Sequence, residues 1–335
     1  MNQQLTPKDF TTDQEVRWCP GCGDYAIVNA VRKALVKIGR QPEDVAFVSG
    51  IGCAARFPYY IESYGFHTIH GRAPAVATGL KLANPDLDVW VVGGDGDFLS
   101  IGANHLYHAL RRNVNVNMLL LNNAIYGLTK GQYSPTSQPG TRSPSSPAGS
   151  VDSPANAALF AMGAGARFIA RSGDTLPNHL PHMLERAQAY QGAALLEIFQ
   201  NCIVYNDGVW GGLADKTTTE DMTIRLEHGE PMIFGKEHDK GLVFDSTVGS
   251  FSVITDADGP VAERATVHDE TNWMMAWALS HLQGYDELPT AIGVIYCVED
   301  EDFETSRDKA APYQAIDRSD LADLLAGDGT WEVAE

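Results

Sequence analysis

The sequence predicts an α/β protein with a doubly wound, mostly parallel sheet. Two observations carry that expectation. First, the stretch from Val89 to Gln132 alternates apolar run, helical pattern and apolar run: Trp90–Val92, then Ser100–Arg112 with Ile101, Leu106 and Leu110 on one side, then Met118–Leu121. Strand, helix and strand at such close spacing make a βαβ unit, whose strands are parallel. Second, the same alternation recurs on both sides of that unit. An acidic C-terminal extension and a cysteine-bearing N-terminal arm flank the repeated pattern.

Taken in order, residues 1–24 read as the arm, ending in Cys19-Pro20-Gly21-Cys22. Asp24–Ile38 is helical, with Ile27, Ala30, Val31, Ala34, Leu35 and Ile38 on one side. Val45–Ser49 reads as a strand leading into the glycine-rich Gly50-Ile51-Gly52-Cys53-Ala54. A short strand closes near Thr68–Arg72, and Pro74 opens a helix to about Ala83, proline being favourable in a first helical turn. After the central unit, 131–154 is rich in proline and serine. Lying inside an α/β pattern, it reads as an active-site lid rather than a linker. Helix 156–162, strand 166–170, helix 175–190 and strand 193–199 complete a core expected over 25–205. Residues 206–335 form the extension, with a β region at 242–255, a helix at 271–282, a strand at 290–298 and an acidic tail from Glu299 that wraps a partner or is mobile.

Composition narrows the function classes. The chain has 335 residues, 44% hydrophobic and 20% charged, with net charge −19. That charge argues against a nucleic-acid partner. The N-terminal MNQQLTPKDF lacks a signal-peptide pattern, and no apolar run is long enough to cross a membrane, so a cytoplasmic protein is expected. Five cysteines in such a chain point to metal or redox chemistry rather than disulfides.

The chemistry concentrates at predicted strand ends, where open α/β sheets bind ligands. Gly94 and Gly96 let the backbone around Asp95 turn sharply, and the following helix aims N–H groups at the same place, favouring a phosphate. Asp95 and Asn123 offer hard oxygens that suit Mg²⁺. GDG followed at this distance by NN resembles the thiamine diphosphate motif. His70 sits on another strand-to-helix loop, within reach of such a phosphate. Cys19 and Cys22 by themselves fit a zinc half-site, a redox dithiol or a cluster half-site. With Cys53 and Cys202, both after core strands, they make four thiols for one centre. Spacing leaves Cys₄ zinc and a [4Fe–4S] cluster both open. A cluster beside a thiamine cofactor would accept its electrons. Cys297, inside an apolar run, reads as core packing.

The segments CPGCGD, SGIGCAARFP, HGRAPAVATGLKLANP, GGDGDFLSIGANHLYHALRRNVNV, NNAIYGLTKGQYSPTS and NCIVYND together resemble the β subunit of 2-oxoacid:ferredoxin oxidoreductases, in order through residues 15–210. The resemblance implies a thiamine diphosphate-binding fold. It implies cluster ligands at Cys19, Cys22, Cys53 and Cys202, and Mg²⁺ on Asp95, Asn123 and the Ile125 carbonyl. Thiamine diphosphate contacts fall on Ile51, Gly52, Cys53, Ala54, His70, Gly96, Asp97, Gly127 and Leu128. Lys130 falls in the substrate pocket. The implied reaction is reversible oxidative decarboxylation of a 2-oxoacid, with electrons leaving through the cluster to ferredoxin and the acyl group passing to coenzyme A. The glutamate that activates the cofactor belongs to an α subunit, so this chain is expected to act only with that partner. The overall look is nearest to enzymes of 2-oxoglutarate, with pyruvate second. The competing classes are a ferredoxin-independent thiamine enzyme, a Cys₄-zinc interaction module and an orphan β subunit.

Overall fold

The computed structural model describes residues 5–213, 215, 217–283, 288–311, 325–327, 329 and 331. Helix α1 (Asp24–Ile38) buries Ile27, Ala30, Val31, Ala34 and Leu35, the stripe expected of a helix on a sheet. It ends at Gly39, whose positive φ of 81° suits a residue without Cβ. There follow β1 (Val45–Ser49), β2 (Tyr64–His67), α2 (Ala73–Ala83), β3 (Asp88–Gly94), α3 (Ala103–Arg112) and β4 (Val116–Asn122). Then come α4 (Ala157–Gly163), β5 (Phe168–Gly173), α5 (His179–Ala189) and β6 (Ala193–Phe199). The extension holds α6 (Thr219–Met222), β7 (Thr223–Leu226), β8 (Ile233–Phe234), β9 (Lys240–Asp245), β10 (Ser250–Thr255), α7 (Val261–Arg264), α8 (Trp273–Ser280), β11 (Thr290–Cys297) and α9 (Phe303–Ala310).

One eight-stranded sheet runs in the order β2-β1-β3-β4-β6-β5-β11-β7. The six strands from β2 to β5 are mutually parallel. Strand β11 is antiparallel to β5 and parallel to β7, so the last two run the other way. The extension thus completes the main sheet, and β8, β9 and β10 form a small antiparallel sheet of their own. The acidic tail expected from Glu299 begins with α9, and most of the chain after Ala311 lies outside the described residues.

Both faces of the sheet are covered, and the strands read accordingly as near-continuous apolar runs. Alternate residues serve opposite cores. From β3 and β4, Val89, Val91, Met118 and Leu120 enter one cluster, while Trp90, Val92, Leu119 and Leu121 enter the other. The first core includes Ala77 of α2, Leu106 of α3, Ala161 of α4 and Leu279 of α8. The second includes Val31 of α1 and Leu184 of α5.

The helix expected from Ser100 begins later. Asp97–Ile101 is instead a π-type turn, in which Gly102 donates its N–H to the Asp97 carbonyl at 3.0 Å. Gly71 packs its backbone against Gly102, which leaves no room for a Cβ at either position. Such wide turns cluster at functional sites. The chain reverses direction across the sheet between β1 and β3. Loops 50–54 and 94–97 therefore flank the crevice at the topological switch point.

Candidate active site and cysteine cavity

Asp97 holds that crevice together. Its carboxylate accepts the Ile51 N–H at 3.0 Å and the Gly71 N–H at 2.9 Å, and pairs with His70 Nδ1. One buried side chain thereby ties the loops after β1, β2 and β3 to one another. Gly50 makes way for it, since a Cβ there would strike the Asp97 carboxylate. His70 and Asp97 are thus paired with each other at the mouth of the crevice.

Asp95 is buried, 2% exposed. Its Oδ2 accepts hydrogen bonds from Ser134 Oγ and from Thr136 Oγ1, the latter at 2.6 Å. Burial pushes the Asp95 carboxyl above its ordinary range, and these two hydroxyls partly offset that. Ser134 and Thr136 belong to the proline- and serine-rich loop, which packs over the site. Asn123 follows β4. It donates from Nδ2 to Gln200 Oε1 at 2.7 Å, and its Oδ1 accepts the Ile125 N–H at 3.2 Å. Between Asn123 and Ile125, Ala124 adopts a left-handed backbone with φ of 53°. Such strain persists only where surroundings over-determine it. Here the Ala124 N–H donates to Asn122 Oδ1, and its carbonyl accepts from Ser137 Oγ and Asn206 Nδ2. The twist sets Asn123 and Ile125 on the same cavity wall.

Ile51, Gly52, Cys53, Ala54, His70, Asp95, Gly96, Asp97, Asn123, Ile125, Gly127 and Leu128 all line one cavity of about 120 Å³. Tyr126 lines it too and donates its hydroxyl to the Gly96 carbonyl at 3.0 Å, bracing the Gly-Asp-Gly turn. Gly96 has no space for a Cβ beneath that ring. Lys130 is exposed, with φ of 76°, beyond the lining residues Leu128 and Thr129.

Cys19, Cys22, Cys53 and Cys202 line a second cavity, of about 190 Å³. The arm turns back onto the sheet because Trp18 packs among Tyr25, Phe57 and Tyr60 and donates its indole N–H to the Cys53 carbonyl at 2.8 Å. Burial, then the nearby Asp24, raise the Cys22 thiol far above its ordinary range and push Cys53 up to about 12. Asp24 itself is fully buried next to Cys22, and burial pushes it up to about 7. Burial therefore favours the neutral form of the Cys22 and Cys53 thiols, a balance that a bound cation would invert. Cys297 lies elsewhere, on a cleft with Arg186 and Tyr190, only partly buried.

Residues 50–198 match the family described as thiamine pyrophosphate enzyme, C-terminal TPP binding domain. The chain is 48% identical to the 2-oxoglutarate oxidoreductase subunit KorB of Mycobacterium tuberculosis, over 99% of this chain and 90% of that one. The chain belongs to the β subunits of the 2-oxoacid:ferredoxin oxidoreductases. Subunit beta of 2-oxoacid:ferredoxin oxidoreductase 2 of Aeropyrum pernix is 44% identical over 59% of this chain and 64% of its own length. Among solved structures, the 2-oxoglutarate:ferredoxin oxidoreductase from Magnetococcus marinus, with 2-oxoglutarate, coenzyme A and succinyl-CoA bound, superposes with a TM-score of 0.76 at 30% identity, covering 97% of both chains.

Within this β subunit several residues have roles that the sequence leaves unmarked. Ser134 and Thr136 reach Asp95 from a loop whose composition announces only turns. Thr136 Oγ1 shares its one proton between Asp95 Oδ2 and Asn122 Oδ1, the latter at 2.9 Å, and Asn122 Nδ2 donates to Glu197 Oε1 at 2.8 Å. Glu197 Oε2 accepts from Arg171 Nε at 2.7 Å, and Arg171 Nη2 donates to the Ser280 carbonyl at 3.0 Å. A buried chain of hydrogen bonds thus connects the end of α8 to the Asp95 carboxylate. Hydroxyl residues immediately after the NN loop are the signal that would have pointed to its outer members.

Proposed function

We propose that this β subunit, with its α subunit, catalyses the coenzyme A-dependent oxidation of 2-oxoglutarate to succinyl-CoA and CO₂, releasing two electrons to ferredoxin through a [4Fe–4S] cluster. The observation that carries the proposal is the shared wall: Cys53, Asn123, Gly127, Leu128 and Gln200 line both the Asp95 cavity and the four-thiol cavity. A thiamine cofactor in one is then a direct neighbour of an electron acceptor in the other.

Thiamine diphosphate, when bound, supplies the nucleophilic carbon and electron sink needed to break the bond to the carboxyl group. The chain's own residues hold its diphosphate end. Asp95, Asn123 and the Ile125 carbonyl would give Mg²⁺ an all-oxygen set of protein ligands, consistent with that ion's preference. The loops clipped by Asp97 frame the phosphates. The cavity's volume of about 120 Å³ is well below the ~300–1,000 Å³ usual for ligand pockets. An open half-site of this kind is completed by another chain. Ile51 (38% exposed), Leu128 (53%), Ile69 (73%) and Ile101 (52%) make an apolar rim suited to the α subunit. Lys130, exposed on the same loop as Leu128, is the cation proposed to pair with a carboxylate of the 2-oxoacid.

Cys19, Cys22, Cys53 and Cys202 offer the second cavity four thiols, one for each iron of a [4Fe–4S] cluster. A redox-active cluster beside the thiamine cavity gives the electrons an acceptor, which zinc does not, and this favours the cluster over Cys₄ zinc and over a ferredoxin-independent enzyme. The choice of 2-oxoglutarate follows the names of the relatives above, with pyruvate as the alternative. The unpaired thiols fit a cytoplasmic setting, and no helix among the described residues is long and apolar enough to cross a membrane.

The test is anaerobic co-expression with the α subunit, followed by coenzyme A-dependent reduction of ferredoxin with 2-oxoglutarate, pyruvate and branched-chain 2-oxoacids. Fastest reduction with 2-oxoglutarate is expected. Faster reduction with pyruvate would reassign the substrate, and none with any 2-oxoacid would defeat the proposal.

A further inference from the structure

Gln200 is buried, 1% exposed, in the wall between the two cavities. It follows β6, and its own backbone N–H donates to the Asn122 carbonyl at 2.9 Å, which fixes it beside the end of β4. Its side chain makes three contacts. Oε1 accepts from Asn123 Nδ2 at 2.7 Å, while Nε2 donates to the Asn201 carbonyl at 2.6 Å and to Cys22 Sγ at 3.3 Å. The Asn201 carbonyl decides the amide's orientation, because a carbonyl only accepts. With the nitrogen held there, the second N–H is left for the sulfur, and the oxygen necessarily faces Asn123. The amide therefore touches one residue from each site, and its two ends carry opposite hydrogen-bonding character.

We infer that Gln200 is a positioning residue for both centres at once: its oxygen orients the Mg²⁺-ligating Asn123, and its N–H tunes the reduction potential of the cluster through Cys22. The inference rests on the cluster and metal reading above. An N–H donated to a ligand sulfur stabilises the more negative, reduced cluster and so raises its potential. A hydrogen bond to a ligating amide holds that ligand's oxygen toward the metal, and losing such outer contacts weakens metal binding by roughly 10–100-fold. Gln200 thus makes the cluster a better acceptor for the neighbouring cofactor while fixing how that cofactor is anchored.

Two substitutions separate the arms. In Gln200→Glu an acceptor oxygen remains for Asn123, but the N–H groups to Cys22 and to the Asn201 carbonyl are gone. In Gln200→Met all three contacts are gone at similar length. The αβ enzyme, purified anaerobically, is taken through a dye-mediated redox titration of the cluster followed by low-temperature EPR. Mg²⁺–thiamine diphosphate affinity is measured separately by quenching of tryptophan fluorescence. Both variants are expected to titrate at a more negative potential than wild type. Gln200→Glu is expected to keep cofactor affinity within about threefold, and Gln200→Met to lose about tenfold. An unshifted potential in both variants overturns the inference. So does loss of the cluster from both, since a tuning contact is dispensable for assembly, and so does equal cofactor affinity in Gln200→Met and wild type. Absence of a cluster signal in wild type would instead defeat the proposed function, so the two failures are distinct.

Discussion

Asp95 and Asn123 come from the two strand ends of one βαβ unit, β3–α3–β4, whereas the four cysteines come from the arm, the loop after β1 and the turn after β6. The first site is local in sequence and needs only that β3 and β4 lie side by side. The second is assembled by the whole sheet, because β1 and β6 are separated by β3 and β4. The two cavities nevertheless share a wall. On the proposed function, cofactor anchoring and electron exit are then separable in their ligands but joined in their support.

The largest effects belong to the ligands. Cys202→Ala is expected to abolish cluster iron while leaving Mg²⁺–thiamine diphosphate binding within a few-fold. Asp95→Ala should do the reverse, weakening cofactor retention by at least ~100-fold with cluster iron unchanged. Iron analysis and cofactor titration on the same preparations check both. Joint loss in either variant would show that the sites are not separable.

Next comes the buried ion pair. Arg171 and Glu197 are both essentially inaccessible, and Arg171 also donates to Asn156 Oδ1 at 3.2 Å. Arg171→Met leaves Glu197 buried without its cation and should cost about 3–5 kcal/mol in chemical denaturation. The double variant Arg171→Met/Glu197→Leu should recover much of that. No recovery would mean that the pair does more than neutralise itself.

Acid stability should trace to a group at neither cavity. His179 is partly buried, its Nδ1 is 2.9 Å from Ser172 Oγ, and desolvation followed by Arg225 and His182 push its pKa from 6.5 down to about 4. It is neutral in the folded chain, so the unfolded chain binds the extra proton first. Stability is full above about pH 6.5 and falls as the pH drops toward 4, by about 2–3 kcal/mol. His179→Gln should flatten that limb in denaturation curves between pH 7 and 4. An unchanged limb would assign it to another group.

The smallest effect is at the loop. Thr136→Val removes the hydroxyl shared by Asp95 and Asn122. It should weaken Mg²⁺–thiamine diphosphate binding about tenfold, with Thr136→Ser near wild type and the cluster potential unmoved in both. A shifted potential in Thr136→Val would mean that the loop speaks to both cavities.

The same contrast explains what could be read from the sequence. The β3–α3–β4 unit was legible because apolar periodicity and Gly94-Asp95-Gly96 are local signals. Each cysteine could be put at a strand end for the same reason. Those strand ends suggest one centre, and the family resemblance implies which ligands it has, while periodicity says nothing of strand order. The opposite direction of β11 and β7 was illegible, because an apolar run has no polarity. Ser100 and Ile101 read as the start of a helix but belong to the π-type turn at Asp97–Ile101, where the distant Gly71 approaches Gly102. Ser134 and Thr136 were hidden in a loop without periodicity. Arg171, Glu197 and Gln200 look like ordinary polar residues until their partners, far away in sequence, are in place.

The central claim is that electrons from a 2-oxoacid bound beside Asp95 enter a cluster held by Cys19, Cys22, Cys53 and Cys202. It is tested most directly by low-temperature EPR of the αβ enzyme, mixed anaerobically with 2-oxoglutarate and coenzyme A and without ferredoxin. A reduced-cluster signal that appears on mixing, and is absent from Cys202→Ala and Asp95→Ala, is the predicted result. A wild-type protein that turns over 2-oxoglutarate with no change in cluster signal, or that holds zinc in place of iron, would contradict it.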